Sequence, residues 1–184
     1  LKSSKDEAIR NIESSIPYIK VVNIEKKFPG KIIISVSERI KLLAFKIQGT
    51  QNYAIIDNEG VVLEISSSFD NYILAKDVEV AKPENDNGQA LIGKTIEKSN
   101  KIDIILKIFE NLRRISFSGE TRYDSEICVG FFKTIEFMEN SNNILIKTNA
   151  GVVWQIYDVE SELLTKLQKA VSVFDGLSDA EKRE

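Results

Sequence analysis

The stretch from Ile16 to Arg39, IPYIKVVNIEKKFPGKIIISVSER, most constrains what this chain can fold into. It predicts two strands joined by a turn at Phe28-Pro29-Gly30. Proline presets φ for the first central turn position, and glycine supplies φ > 0 for the second, so a type II-like turn is expected. After the turn, Ile32, Ile34 and Val36 alternate with polar or outward positions, which predicts a strand with one buried face. The segment therefore predicts a β-hairpin.

Composition limits the classes of protein that fit. The 184 residues, 42% of them apolar and 29% charged, allow one large domain or two small ones and do not resemble a disordered chain. The net charge is −3 and the basic residues are scattered, so the basic surface that nucleic-acid binding needs is not apparent. No apolar run approaches the roughly 20 residues of a membrane-spanning helix. Because the chain opens at Leu1 and not at Met, we expect it to be a fragment.

Several further elements can be read from the apolar spacing. An apolar stripe predicts a helix from Lys5 to Ser15, and Tyr53 to Glu64 predicts a second hairpin around Asp57-Asn58-Glu59-Gly60. Helices are predicted for residues 100–112 and 160–174. Strands are predicted at Ile115–Ser118, Ile127–Phe132, Ile135–Met138, Ile144–Thr148 and Val152–Tyr157. Short connections without a βαβ rhythm favour an α+β fold with an antiparallel sheet and two packed helices.

These motifs, in this order, resemble the FtsQ/DivIB family of bacterial cell-division proteins. In that family a helix leads into an apolar segment with a proline, and then come a strand, a turn with a proline and a strand ending in Glu-Arg. This chain matches the pattern at Ile16-Pro17-Tyr18-Ile19, Phe28-Pro29 and Glu38-Arg39. A family-like hairpin follows around Asp57. The family's pattern from the last strands into the final helix is matched at Ile144, Thr148, Gly151, Val152, Leu164, Lys166 and Leu167.

The resemblance implies an architecture and a function. Residues 1–45 would be the C-terminal part of a POTRA domain, and residues 46–184 a β domain. The family's membrane helix and the first POTRA elements would precede Leu1, and a final strand would follow Glu184. Members are non-enzymatic scaffold proteins of the division machinery. They act outside the cytoplasmic membrane at the septum, bind small single-span coiled-coil proteins of the FtsL and FtsB/DivIC type, and help regulate septal peptidoglycan synthesis.

The partner-binding residues are predicted at a sheet edge, where an extended segment can complete unpaired N–H and C=O groups. The strands nearest the expected open edge give Ile144, Ile146, Thr148, Trp154 and Tyr157 as candidates. Trp154 and Tyr157 are the possible anchors, although core packing is the default for aromatic residues on strands. If the family's final strand is absent, we expect this chain to bind partners more weakly than a version extended past Glu184.

A rival function rests on Gly88–Thr95, GQALIGKT, which satisfies the P-loop pattern and would indicate a nucleotide-binding or hydrolytic enzyme. The context argues against it, because a very polar stretch, residues 82–87, precedes Gly88 where a buried strand is needed. Leu91 and Ile92 are bulky where a phosphate needs close backbone approach. A third possibility is a POTRA-type assembly module of another envelope system.

Catalytic and metal-binding chemistry has little support in the sequence. With no histidine, the commonest general base and metal ligand is missing, and a Cys-His or Ser-His pair cannot form. Cys128 is the only cysteine, so no internal disulfide is possible, and its apolar neighbours predict a buried structural thiol. The sequence therefore predicts no catalytic residues, no metal site and no cofactor.

Overall fold

The computed structural model describes residues 2–83, 88–117, 121–139 and 141–182. Its first part, the N-terminal unit, consists of helix α1 (Lys2–Ser15) and the antiparallel strands β1 (Ile19–Lys27) and β2 (Lys31–Glu38). The predicted hairpin is confirmed. Its Phe28–Pro29 peptide bond is cis, and Gly30 has the predicted left-handed conformation, with φ +81°.

The alternation in β2 places Ile32, Ile34 and Val36 on one face, but that face is not buried. These side chains are 60%, 46% and 50% exposed. Helix α1 packs against β1, and Ile12 of α1 lines an open groove together with Ile32 and Ile34 of β2. The pattern therefore predicts which side chains share a face, whereas their burial depends on how closely a second layer packs on that face.

The β domain is built on a seven-stranded sheet. Its strands are β3 (Leu43–Ile47), β4 (Tyr53–Ile56), β5 (Val62–Ser66), β6 (Ile73–Val80), β9 (Phe132–Phe137), β10 (Ile144–Thr148) and β11 (Val153–Ile156). A separate small hairpin pairs β7 (Ser116–Phe117) with β8 (Thr121–Arg122). The strand order in the large sheet is β11-β10-β9-β6-β3-β4-β5.

The α+β class is confirmed, but the large sheet is mixed and not purely antiparallel. Strand β6 runs parallel to both of its neighbours, β3 and β9. Parallel neighbours need a crossover connection, and the chain between β6 and β9 supplies one that contains a long helix. The predicted boundary between residues 45 and 46 falls inside β3, whose Leu43 and Phe45 are fully buried in the sheet core. We therefore propose residues 39–42 as the linker between the two parts.

Two helices confirm their predicted positions. Helix α2 (Asn100–Leu112) begins after Ser99, whose Oγ accepts a hydrogen bond from Ile102 N at 3.3 Å. Helix α4 (Leu163–Gly176) packs beside α2. Buried aromatic side chains from helices and strands meet in one cluster around Phe132, which contacts Phe109 and Trp154. No helix among the described residues is long and apolar enough to cross a membrane.

The predicted strand at Ile127–Phe132 is wrong. Residues Ser125–Phe131 form helix α3, and strand β9 begins only at Phe132. The helix begins because Asp124 Oδ1 accepts a hydrogen bond from Ile127 N at 2.9 Å, which satisfies a free donor of the first turn. The short apolar run Ile127–Phe132 is compatible with a strand or with a buried helix segment, and the cap at Asp124 stabilises the helix. The turn predicted at residues 140–143 lies partly outside the described residues.

Candidate partner-binding surface

The large sheet has two outer strands, and one of them is covered. Strand β5 lies beside the segment of residues 93–96, which pairs with it through the backbone. Val62 N donates to Lys94 O at 2.9 Å, and Gly93 N donates to Val62 O at 2.8 Å. Just before β5, Ile96 N donates to Gly60 O at 2.9 Å. The backbone N–H and C=O of Val62, the first residue of β5, are therefore satisfied on the outer side of the strand.

Strand β11 forms the opposite edge. Within the part of the chain that the structure describes, β10 is its only strand partner. The hairpin between them closes with a bond from Thr148 N to Val152 O at 2.9 Å. Because inward and outward bonding alternates along an antiparallel ladder, the N–H and C=O groups of Val153 and Gln155 point away from β10. These groups form the open edge of the sheet.

A groove of about 400 Å³ runs along this edge, between β11 and the second half of α4. Its apolar lining includes Val153, Tyr157 and Val173, whose side chains are 50%, 58% and 67% exposed. Lys166 and Lys169 of α4 also line it. Three exposed apolar side chains beside a row of unpaired backbone groups suit an extended polypeptide, which needs both kinds of contact.

Of the five predicted site residues, one is exposed at the β11 edge and four lie buried behind it. Ile144, Ile146 and Thr148 lie on β10, which is bonded to strands on both sides, and they are at most 1% exposed. Trp154 points from β11 into the core, where it packs against Phe132, as the sequence analysis expects by default for an aromatic residue on a strand. Of the five, only Tyr157 is exposed in the groove. The β10 residues and Trp154 can support a partner site from behind.

Sequence reasoning missed Val153, Gln155 and Val173. The signal for the first two was present, because the burial of β11 alternates and places Trp154 and Ile156 inward. That alternation leaves Val153 and Gln155 outward. What was missing was the strand order, since nothing local shows that β11 and not β10 lies at the edge. Val173 required knowing which side of α4 faces β11.

The P-loop-like segment has a structural explanation. Gly88 has φ +101°, and a Cβ added there would lie 2.6 Å from Ile47 Cδ1. A Cβ on Gly93 would meet Pro17 Cγ at 3.2 Å. After Gly88 the chain forms a 3-10 helix of three residues and then the strip beside β5, where a P-loop would begin a long helix. The glycines allow close packing, and the lysine's backbone carbonyl bonds to β5.

A buried ionic cluster joins the N-terminal unit to the β domain. Arg39, at 9% exposure, donates from Nη1 to Asp57 Oδ2 at 2.5 Å and to Glu59 Oε2 at 2.8 Å. Its Nη2 donates to Oε2 of Glu13 in α1 at 3.3 Å. Burial lowers the pKa of Arg39, but the hydrogen bonds to the two carboxylates outweigh it and the pKa rises. For Glu59, burial raises the pKa, and the bonds from Lys20 and Arg39 lower it by more.

Each carboxylate of this cluster lies beside Arg39 or Lys20, and we assign the cluster a structural role. Asp57 also organises the β4–β5 turn, because its Oδ1 accepts from Glu59 N at 2.8 Å and from Val61 N at 2.9 Å. Elsewhere, burial, followed by the nearby charge of Asp124, raises the pKa of the Cys128 thiol to about 12, so the sulfur stays protonated and inert at neutral pH. Among the described residues, no group of carboxylate or thiol side chains is placed to hold a metal ion.

Comparison with known proteins first defines the class. Residues 1–39 match the model of the POTRA domain of the FtsQ type. The chain is thus a POTRA-type unit joined to a β domain with an open sheet edge.

The relatives then define the family. The chain is 28% identical over 165 residues to the cell division protein DivIB of Clostridium tetani, covering 90% of this chain and 55% of that protein. It is 45% identical over 60 residues to the DivIB of Clostridium acetobutylicum, covering 33% of this chain and 23% of that protein. With the POTRA match, these similarities support the FtsQ/DivIB family for this chain. It spans about half the length of the first relative and about a quarter of the second.

Proposed function

We propose that this chain is the extracytoplasmic part of a non-enzymatic division protein, held at the septum by a membrane helix. It binds small single-span coiled-coil proteins of the FtsL and FtsB/DivIC type and thereby helps regulate septal peptidoglycan synthesis. The naming of its relatives as cell division proteins supports the process. The observation that carries the binding role is the open edge of β11, with its outward backbone groups at Val153 and Gln155.

The geometry of β11 supports partner binding by strand addition. An extended partner segment that pairs with Val153 and Gln155 would satisfy the outward N–H and C=O groups of the edge. Alternate side chains of that segment would enter the groove and cover Val173 of α4. The rigid support comes from β10 and the aromatic cluster behind Trp154, so the edge is already formed before the partner arrives and ordering it costs little free energy.

The test is a pair of substitutions at one position. Gln155→Pro removes the outward N–H and leaves the ladder with β10, because proline is tolerated on edge strands where its nitrogen faces solvent. Gln155→Ala removes the side chain and keeps the N–H. Binding of the purified extracytoplasmic segments of the two coiled-coil proteins is measured by calorimetry. We expect Gln155→Pro to weaken binding at least tenfold and Gln155→Ala to change it little.

Both variants are made in this chain and in a version extended past Glu184. We expect the extended version to bind more tightly, because the family's final strand adds to the binding surface, and we expect the proline effect in both. Unchanged affinity of a folded Gln155→Pro variant in both versions would show that β11 is not the platform. Equal losses for proline and alanine would assign the contact to the glutamine side chain and exclude backbone pairing.

A further inference from the structure

The tip of the β1–β2 hairpin, residues 26–32, projects apolar side chains into solvent. Phe28 is 100% exposed, and Ile32 beside it is 60% exposed. A fully exposed phenylalanine at the end of a hairpin contributes nothing to the packing of the fold. Phe28 stands at the end of the hairpin, and this surface shares no residue with the β11 edge of the function proposed above.

Three lysines surround this aromatic side chain. Lys26, Lys27 and Lys31 are all exposed, and none forms an ion pair within the described residues. Lys27 and Lys31 are direct cross-strand partners, an arrangement that destabilises a hairpin because like charges face each other. The carboxylate of β1, Glu25, accepts a hydrogen bond from Asn23 Nδ2 at 2.8 Å. The tip is thus positively charged on a chain whose net charge is −3.

We propose that the hairpin tip binds the surface of an anionic lipid bilayer. Phe28 would enter the interface between headgroups and acyl chains, where aromatic side chains partition favourably, and the lysines would contact anionic headgroups. A bilayer fits better than a protein partner because it offers an apolar interior to the exposed Phe28 and negative charge to the lysines in one surface. The negative charge would also relieve the repulsion between Lys27 and Lys31.

The expected binding is weak but measurable. Each lysine near an anionic surface strengthens membrane partitioning by about fivefold, so the three together supply about a hundredfold. This attraction acts within about 10 Å of the surface at 0.1 M salt and fades as salt rises. Such a contact would orient the N-terminal unit on a membrane without holding it there alone.

The experiment places a fluorescent reporter at the tip. Phe28→Trp keeps an aromatic side chain at a fully exposed position, and the native Trp154 is buried and provides a constant background. The matched control is Val173→Trp, which puts the same reporter at another exposed apolar position, on α4. Emission is recorded while vesicles are added, made either of equal parts phosphatidylglycerol and phosphatidylcholine or of phosphatidylcholine alone.

We expect a blue shift for Phe28→Trp with the anionic vesicles only, and no shift for the control. Replacing the three lysines by glutamine in the Phe28→Trp background should weaken partitioning about a hundredfold. High salt should also weaken partitioning of the Phe28→Trp variant, but by less than the lysine replacements do. Absence of a shift with anionic vesicles, or an equal shift for both reporters, would overturn the proposal. A shift with poly-glutamate but not with vesicles would assign the tip to an acidic protein partner and would also overturn it.

Discussion

The two edges of the large sheet differ although both strands are short and apolar. At the start of β5, residues 93–96 bond to the backbone N–H and C=O of Val62, which is fully buried. At β11, the described chain leaves the outer backbone groups unpaired, and Val153 and Tyr157 remain exposed. Unprotected edges invite pairing with other chains, so proteins usually cover them. The contrast is between an outer strand that the described chain partly covers and one that it leaves open, and we propose that the open edge of β11 serves binding.

The largest expected effect comes from blocking the backbone at each edge. Val62→Pro removes the N–H that bonds to Lys94 O, and Val62→Ala accounts for the lost side chain. We expect the proline variant to be less stable than the alanine variant by about 2–4 kcal/mol, because the bond to Lys94 O is lost and the proline ring must fit at a fully buried position. The same difference at Gln155 should be below about 1 kcal/mol. Urea unfolding of all four variants measures both differences.

If the proline and alanine variants differed in stability by the same amount at Val62 and at Gln155, the proposed difference between the two edges would be wrong. A large cost at Gln155 would mean that its N–H already has a partner within the protein, and β11 would then be a closed edge.

A smaller effect should follow from disturbing the segment that closes β5. In Gly88→Val, the new Cβ would lie 2.6 Å from Ile47 Cδ1, and the residue would keep a φ of +101° that valine strongly disfavours. We expect a loss of about 1–3 kcal/mol in the free energy of unfolding. Gly130→Val is the matched control, because a Cβ there meets nothing within 4 Å and its φ is not left-handed. Similar losses for both variants would remove the packing explanation of Gly88.

Much of this fold follows from local sequence. The α2 helix is predicted at its observed bounds by its apolar spacing and its serine cap, and both predicted hairpin turns form. The α3 helix was missed because the six-residue run from Ile127 to Phe132 has no clear period, and the cap at Asp124 decides its conformation.

The strand order could not be predicted in the same way. The parallel pairing of β6 with β3 and β9 depends on crossovers between distant segments, so no local pattern indicates it. For the same reason, Ile144, Ile146 and Thr148 were predicted at the binding edge although β10 lies one strand inside it. Tyr157 could be placed because it follows the last strand of the sheet.

The smallest expected effect concerns the β4–β5 turn, which precedes the closed edge. The folded-state pKa of Glu59 is lowered by its partners, so its ionised form stabilises the protein at pH values above about 4.3, the ordinary glutamate value. This contribution disappears as the pH falls through the lowered pKa. We therefore expect Glu59→Gln to be less stable than the parent chain at pH 7, with a difference that shrinks towards pH 3. A difference that stayed constant with pH would contradict the ionic role of Glu59.

The most direct test of the account is amide hydrogen exchange at the two edges, with and without the coiled-coil partner segments. We expect the amides of Val153 and Gln155 to exchange quickly in the free chain and to become protected in the complex. The amide of Val62 should be protected in both states, because its bond to Lys94 O is internal. Partner binding without new protection at Val153 and Gln155 would contradict strand addition at β11, and so would strong protection of these amides in the free chain.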